Sequence, residues 1–148
     1  MIVLLQRVKE ASVYVNLEII GNIKKGLLIY IGVSKNDTYN EAILLANKCA
    51  NIRIFNDNSG KMNRSLLETQ GSCLIVSQFT LCANTSKGQR PSFMKAANSK
   101  KAKKIYNSFI NQFHENKIKV ATGLFGENMD VHSVNDGPVT LIINSNNQ

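Results

Sequence analysis

The sequence predicts an α/β fold of mixed or antiparallel β-sheets with two main helices. Three observations carry this. Short strand-like runs crowd the first third of the chain, and more strands fill its last third. Two stretches of helical apolar spacing lie between them. At 148 residues with 43% apolar side chains, the chain fits one domain, 1–148, that buries roughly 70% of its unfolded surface.

Met1–Val8 reads as a strand ending in Gln6-Arg7, and Ala11–Val15 alternates with Val13 and Val15 on one face. Asn16–Glu18 reads as a turn and Ile19–Ile23 as a short strand. Leu27–Val33 is a continuous apolar run with the length of a buried strand. Four strand signals this close predict a meander. Asn36 or Asp37 is expected to cap a helix with Ile43, Ala46, Ala50 and Ile54 at helical spacing, ending before Arg53. Asn56–Gly60 is a turn cluster. Ser72–Thr80 reads as a central strand, and Ala83–Pro91 as a polar loop. Asn98 or Ser99 caps the clearest helix, whose stripe is Ala102, Ile105, Tyr106, Phe109, Ile110 and Phe113. Strands are then expected at Lys117–Ala121, Met129–Val134 and Val139–Ile143. Thr122–Asn128 is a loop, Asn135–Pro138 a tight turn, and Asn144–Gln148 a frayed polar tail.

Composition narrows the function. No apolar run reaches the ~20 residues needed to span a bilayer, so no membrane partner is expected. The apolar N-terminus lacks a basic start and a small-residue cleavage site, so it reads as a strand rather than a signal peptide, and the cytosol is the expected compartment. Cys49, Cys73 and Cys82 form an odd, scattered set that reads as reduced packing residues. His114 and His132 have no partners at metal-ligand spacing, so neither a metal nor a cofactor is expected.

The net charge of +8 favours polyanionic partners. Half of the 18 basic residues lie between Lys87 and Lys119, opposed there only by Glu115. Lys100, Lys101, Lys103 and Lys104 cluster at a helix N-terminus, where cations oppose the macrodipole. They form either a solvated polar face or a phosphate-contacting surface. No histidine pairs with a serine or cysteine in a recognisable nucleophile motif. An enzyme built from this chain must draw on its backbone or its substrate for much of the chemistry.

Two segments stand out: Ser77-Gln78-Phe79-Thr80-Leu81, where a buried strand turns polar, and Asn135-Asp136-Gly137-Pro138-Val139-Thr140. Each alone is compatible with a purely structural role. Together they resemble the signature motifs of the D-aminoacyl-tRNA deacylase family, also called D-tyrosyl-tRNA deacylase. Gln6-Arg7-Val8 with Ala11-Ser12-Val13, Arg53-Ile54-Phe55 through Ser65-Leu66, Gly88–Phe93, and Thr122–Gly126 with Met129 extend the likeness over essentially the whole chain. Cys82, Ser133 and Gln89 depart from it, standing where the family commonly has Tyr, an apolar residue, and a basic residue or Asn.

The resemblance implies a barrel-like fold and a homodimer that hydrolyses the ester of D-aminoacyl-tRNA, and glycyl-tRNA mischarged on an alanine tRNA. It implies that Gly137 and Pro138 form a cis bend inserted into the other subunit's site, where it rejects L-amino acids, with Arg7 holding the bend. It implies that Ser77, Gln78, Phe79 and Thr80 line the pocket, the N–H groups of Phe79 and Thr80 forming an oxyanion hole, and that Met129 joins Gly137, Pro138 and Arg7 in substrate selectivity. The ribose 2′-hydroxyl is the expected activator, because no general base accompanies the Thr80 hydroxyl. Lys87, Arg90, Lys100, Lys101, Lys103 and Lys104 are the expected contacts to the tRNA acceptor stem. The alternatives are a non-catalytic basic nucleic-acid-binding protein and a hydrolase of free D-amino-acid esters.

Overall fold

A computed structural model describes residues 1–147 of the chain. Its spine is β1 (Ile2–Val15), a 14-residue strand. The signals at Met1–Val8 and Ala11–Val15 are thus one strand. Lys9 and Glu10 between them are exposed residues of a backbone that stays extended. The chain reverses at Asn16 and Leu17, both at positive φ (50° and 69°). It returns as β2 (Glu18–Ile23) and β3 (Gly26–Gly32), whose antiparallel registers on β1 agree from Ala11↔Ile23 to Ile2↔Gly32. A long hairpin therefore replaces the expected meander.

After β3 come α1 (Tyr39–Asn51), a small hairpin of β4 (Phe55–Asn56) and β5 (Met62–Arg64), and the one-turn α2 (Leu66–Thr69). Then follow β6 (Ser72–Ser77), a 3-10 turn over Phe79–Cys82, α3 (Ser99–Glu115), β7 (Lys119–Thr122) and β8 (Asp130–Asn144). The strands β6 and β7 extend the sheet in parallel from β3, and β8 runs antiparallel along β1. The strands at the two ends of the path, β2 and β7, approach so closely that a Cβ on Gly21 would lie 2.5 Å from the Thr122 carbonyl oxygen. The sheet is thus a nearly closed, barrel-like one, mixed as the sequence predicts.

Side-chain alternation divides the core. Leu27, Ile29 and Ile31 of β3 and Cys73 and Ile75 of β6 pack under α1 and α3 with Leu45, Phe109 and Phe113. Leu28, Leu74 and Val76 point the other way, to Val8, Ala11 and Val13 inside the curved sheet. Strands covered on both faces read as continuous apolar runs, which is why Leu27–Val33 was legible. All three cysteines are free and buried; burial pushes the Cys49 thiol up to about 12.

Several local expectations shift. The cap of α1 is Thr38, in a capping box with Glu41. Asp37 instead turns inward, accepting from the Met1 amino group and from the Ser34 N–H, both at 2.5 Å. The buried face of α1 is Ala42, Leu45, Ala46, Cys49 and Ala50, with Ile43 exposed. Small residues there let the helix approach the sheet and α3. The clear helix starts where expected, with Asn98 accepting from Lys101 N–H. The next strand starts only at Lys119, because Lys117 takes a left-handed φ of 58° that closes the helix end. Ser145 accepts from the Met1 amino group at 2.7 Å and its N–H donates to the Met1 carbonyl, so the tail is tied rather than frayed through that point; Gln148 lies outside the described residues. No helix among the described residues is long and apolar enough to cross a membrane.

Candidate active site

The strand expected over Ser72–Thr80 stops at Ser77. At Gln78 the backbone leaves the extended region (φ −143°, ψ 81°), and its N–H donates to the Ile31 carbonyl of β3 at 2.7 Å. The chain then tightens into the 3-10 turn, closed by Leu81 N–H to Gln78 O (3.2 Å) and Ala83 N–H to Thr80 O (3.0 Å). The first N–H groups of any helical turn have no partner within it. Here they belong to Phe79 and Thr80, and among the described residues nothing accepts from either. The Gln78 side-chain amide donates to Thr80 Oγ1. The Phe79 ring stands 59% exposed, edge-on to Phe93 at 5.1 Å.

Beside this turn opens a cleft of about 550 Å³. Of the expected residues, Ser77, Gln78, Phe79 and Met129 line it; Thr80 sits on the turn just outside. Its floor is apolar and came without warning. Ala97 lies just before α3 and Ala102 in its first turn, and Tyr106 and Phe125 lie 5.6 Å apart between ring centres. Tyr106 belongs to a stripe that read as plain core. Its hydroxyl, polar within an apolar face, was the available signal. It donates to the Ile75 carbonyl at 2.8 Å, an oxygen that also accepts from Gly123 N–H at 3.1 Å. One acceptor thus ties β6, α3 and the loop carrying Phe125 together. Burial raises the pKa of the Tyr106 hydroxyl, followed in effect by nearby Cys73, so it remains a donor.

The segment expected as a tight turn, Asn135–Pro138, lies within β8 instead. Val8 faces Asn135 and Gln6 faces Thr140, so the residues between bulge out of the ladder. Asn135 closes the bulge, accepting from Val139 N–H at 3.0 Å and donating to Thr140 Oγ1 at 2.8 Å. At its apex the Gly137–Pro138 peptide is cis, with Gly137 at φ 129°. Both residues are exposed and do not line the cleft of their own chain. Arg7, only 6% exposed, reaches the bulge from β1. Its Nε donates to the Asp136 carbonyl at 3.1 Å, and its Nη1 to the Ile54 carbonyl at 2.6 Å and Asn56 Oδ1 at 3.2 Å.

The basic residues spread over two places. Lys87 and Arg90 sit on the exposed loop after the turn, and Lys100, Lys103 and Lys104 are exposed on the first turns of α3. Lys101 is partly covered and donates to the Lys35 carbonyl. With Lys104 it borders a shallow groove against Thr38 and Tyr39.

The fold and cleft define a small α/β protein with a preformed pocket and main-chain donors at its lip, Glu127 being the one charged residue of its lining among the described residues. The family model described as D-Tyr-tRNA(Tyr) deacylase matches residues 4–144. A protein of Thermosipho melanesiensis named "D-aminoacyl-tRNA deacylase" is 55% identical over 141 residues, 95% of this chain and 94% of its own length. One of Bacillus cytotoxicus with the same name is 49% identical over 143 residues, 97% and 98% of the two chains. The solved structure of a "c-Myc DNA Unwinding Element Binding Protein" superposes with a TM-score of 0.91 at 38% identity, covering 97% of this chain and 98% of its own. That of a "probable eukaryotic D-amino acid tRNA deacylase" gives 0.83 at 18% identity, over 96% and 97%, a likeness of fold alone. This chain belongs to the D-Tyr-tRNA(Tyr) deacylase family.

Proposed function

We propose that the chain, a single cytoplasmic domain acting as a homodimer, hydrolyses the ester bond of D-aminoacyl-tRNA to release free D-amino acid and tRNA. The observation that carries this reading is the pair of unpartnered N–H groups, Phe79 and Thr80, at the lip of a cleft of about 550 Å³. Fixed donors at that point stabilise the charge that develops on the ester carbonyl oxygen, a contribution of about 2.7–4 kcal/mol per donor in comparable sites. Water adds to the carbonyl carbon, the bond to the ribose 3′-oxygen breaks, and that oxygen takes up a proton. The neighbouring 2′-hydroxyl, present only in RNA, orients and activates the water. Thr80 Oγ1 is a poor nucleophile here. It already accepts a hydrogen bond from Gln78, and among the described residues no base takes its proton.

Selectivity on this reading comes from the bulge at Gly137 and Pro138, presented by one protomer to the cleft of its partner. Backbone carbonyls take the substrate α-ammonium, and the bend leaves no space for a side chain of L configuration. D-amino acids and glycine fit, so glycyl-tRNA mischarged on an alanine tRNA is also cleared. Arg7 holds the bend, and Met129 shapes the adjoining wall. Lys87, Arg90, Lys100, Lys101, Lys103 and Lys104 hold acceptor-stem phosphates without reading sequence.

The likeness to the DNA-unwinding-element-binding protein supports a second reading, a non-catalytic nucleic-acid-binding role for the same basic surface. Incubation with D-Tyr-tRNA and L-Tyr-tRNA separates the two. Release of D-tyrosine with L-Tyr-tRNA spared supports the hydrolase. Binding of both without turnover supports the alternative.

A further inference from the structure

We propose that Gly32 is a positioning residue for the hydrolysis: it is the seat against which the turn bearing the Phe79 and Thr80 N–H groups is pressed. The inference rests on the reading of those N–H groups given above. Gly32 is the buried last residue of β3, opposite Ile2. Its neighbours Ile29, Tyr30, Ile31 and Val33 are strong strand formers. A glycine among them weakens the strand and marks a place where another piece of backbone comes close. That piece is the turn. A Cβ built on Gly32 would lie 2.9 Å from Leu81 Cβ, 3.1 Å from Cys82 Sγ and 3.2 Å from the Gln78 carbonyl oxygen.

The nearest of these atoms is fixed to its backbone and cannot rotate away. One residue earlier on β3, the Ile31 carbonyl accepts from Gln78 N–H at 2.7 Å. The end of β3 therefore sets the turn twice, by a hydrogen bond at one residue and by a missing side chain at the next. Restoring ordinary contact of 3.4–4 Å at Leu81 Cβ moves the turn by about 0.5 Å or more. Oxyanion donors work over a window only a few tenths of an ångström wide, about 2.7–3.1 Å. Of the cleft lining, the shift carries Gln78 and Phe79 with the turn and leaves the floor at Ala97, Ala102, Tyr106 and Phe125 in place.

Gly32→Ala is therefore expected to lower kcat for D-Tyr-tRNA by about 10–100-fold while leaving KM within a few-fold. The amide 1H–15N resonances of Phe79 and Thr80 should move more than those of Ala102 or Tyr106. Adding Leu81→Gly removes the nearest atom and should recover part of the lost kcat. If Gly32→Ala does not fold, Cys82→Val crowds the same contact from the turn side, without altering β3, and should give the same split. A folded variant with kcat within two-fold of the parent, or a loss carried by KM, overturns the proposal. Unmoved amides with reduced turnover overturn the seat alone. Moved amides with unchanged turnover overturn the role of the N–H pair, and the proposal with it.

Discussion

Arg7 grips Asp136 twice, donating from Nε to its carbonyl oxygen at 3.1 Å and lying 3.3 Å from its carboxylate. The same guanidinium holds the Ile54 carbonyl just before β4 and Asn56 Oδ1 within it, so one buried cation fixes the β8 bulge to the β4 segment. Removing it strands a carboxylate and two carbonyls. Arg7→Ala should cost about 3 kcal/mol, measured by urea denaturation. Arg7→Lys keeps the charge but loses the fork that reaches both partners. It should fold, and it should show a reduced preference for D-Tyr-tRNA over L-Tyr-tRNA. A wild-type preference in Arg7→Lys would detach this residue from selectivity.

Gly137 admits no side chain. Its φ is 129°, and a Cβ there would lie 2.9 Å from both Arg7 Nη2 and Val139 Cγ2. Gly137→Ala should destabilise by about 1–3 kcal/mol and displace the bulge. The expected readout is faster cleavage of L-Tyr-tRNA relative to D-Tyr-tRNA, checked by single-turnover deacylation. An unchanged ratio would place the selectivity elsewhere.

Thr80→Ala should keep substantial activity, within about ten-fold of the parent, because its hydroxyl serves as an acceptor for Gln78 rather than as an attacking group. A substrate ending in 2′-deoxyadenosine should be cleaved poorly by both proteins. Complete loss of turnover in a folded Thr80→Ala would restore the hydroxyl to the chemistry.

Affinity for tRNA should fall as salt rises, since phosphate contacts release counterions. Lys100→Ala, Lys103→Ala and Lys104→Ala should each weaken binding to D- and L-charged tRNA alike and lower the salt slope by about 1. Lys101→Ala should do less, because its ammonium already donates to the Lys35 carbonyl. Filter binding at several salt concentrations decides this, and a flat salt dependence would remove the basic face from recognition.

Acid stability should depend on two capping boxes. Hydrogen bonds from the Thr38 hydroxyl and N–H lower the pKa of Glu41, and those from the Ser65 N–H and hydroxyl lower that of Glu68. Folded values below the unfolded ones give stability that is present above the ordinary glutamate range and lost as pH falls through the folded values. Glu41→Gln should lower the melting temperature at neutral pH and flatten its decline in acid. An acid decline as steep as the parent's would exclude that box as a contributor.

The elements were legible where one physical demand ruled. The α3 stripe and the Leu27–Val33 run follow from burial alone, and Asn98 from the need to cap a helix. Legibility failed where a long-range partner decided the local shape. Asp37 looks like a cap, yet it is drawn inward by the Met1 amino group from the far end of β1. Asn135–Pro138 has the composition of a hairpin turn, but β1 pairs on both sides of it, so it bulges instead. Ser72–Thr80 reads as a strand until Ile31 captures the Gln78 N–H. In the candidate site, Ser77–Thr80, Met129 and the Gly137–Pro138 bend were marked by motif. Tyr106, Phe125 and Gly32 were not, since an aromatic in a core stripe and a glycine in a strand carry no sign of a cleft beside them.

The central claim is that a bend from one protomer guards the cleft of another. A tagged heterodimer of a Gly137→Ala chain and an Ala102→Trp chain tests it most directly. Tryptophan at Ala102 fills one cleft, so the remaining open cleft belongs to the Gly137→Ala chain and faces the intact bend of its partner. The account predicts that this heterodimer regains the parental preference for D-Tyr-tRNA over L-Tyr-tRNA. A heterodimer that keeps the relaxed preference of Gly137→Ala alone would contradict it.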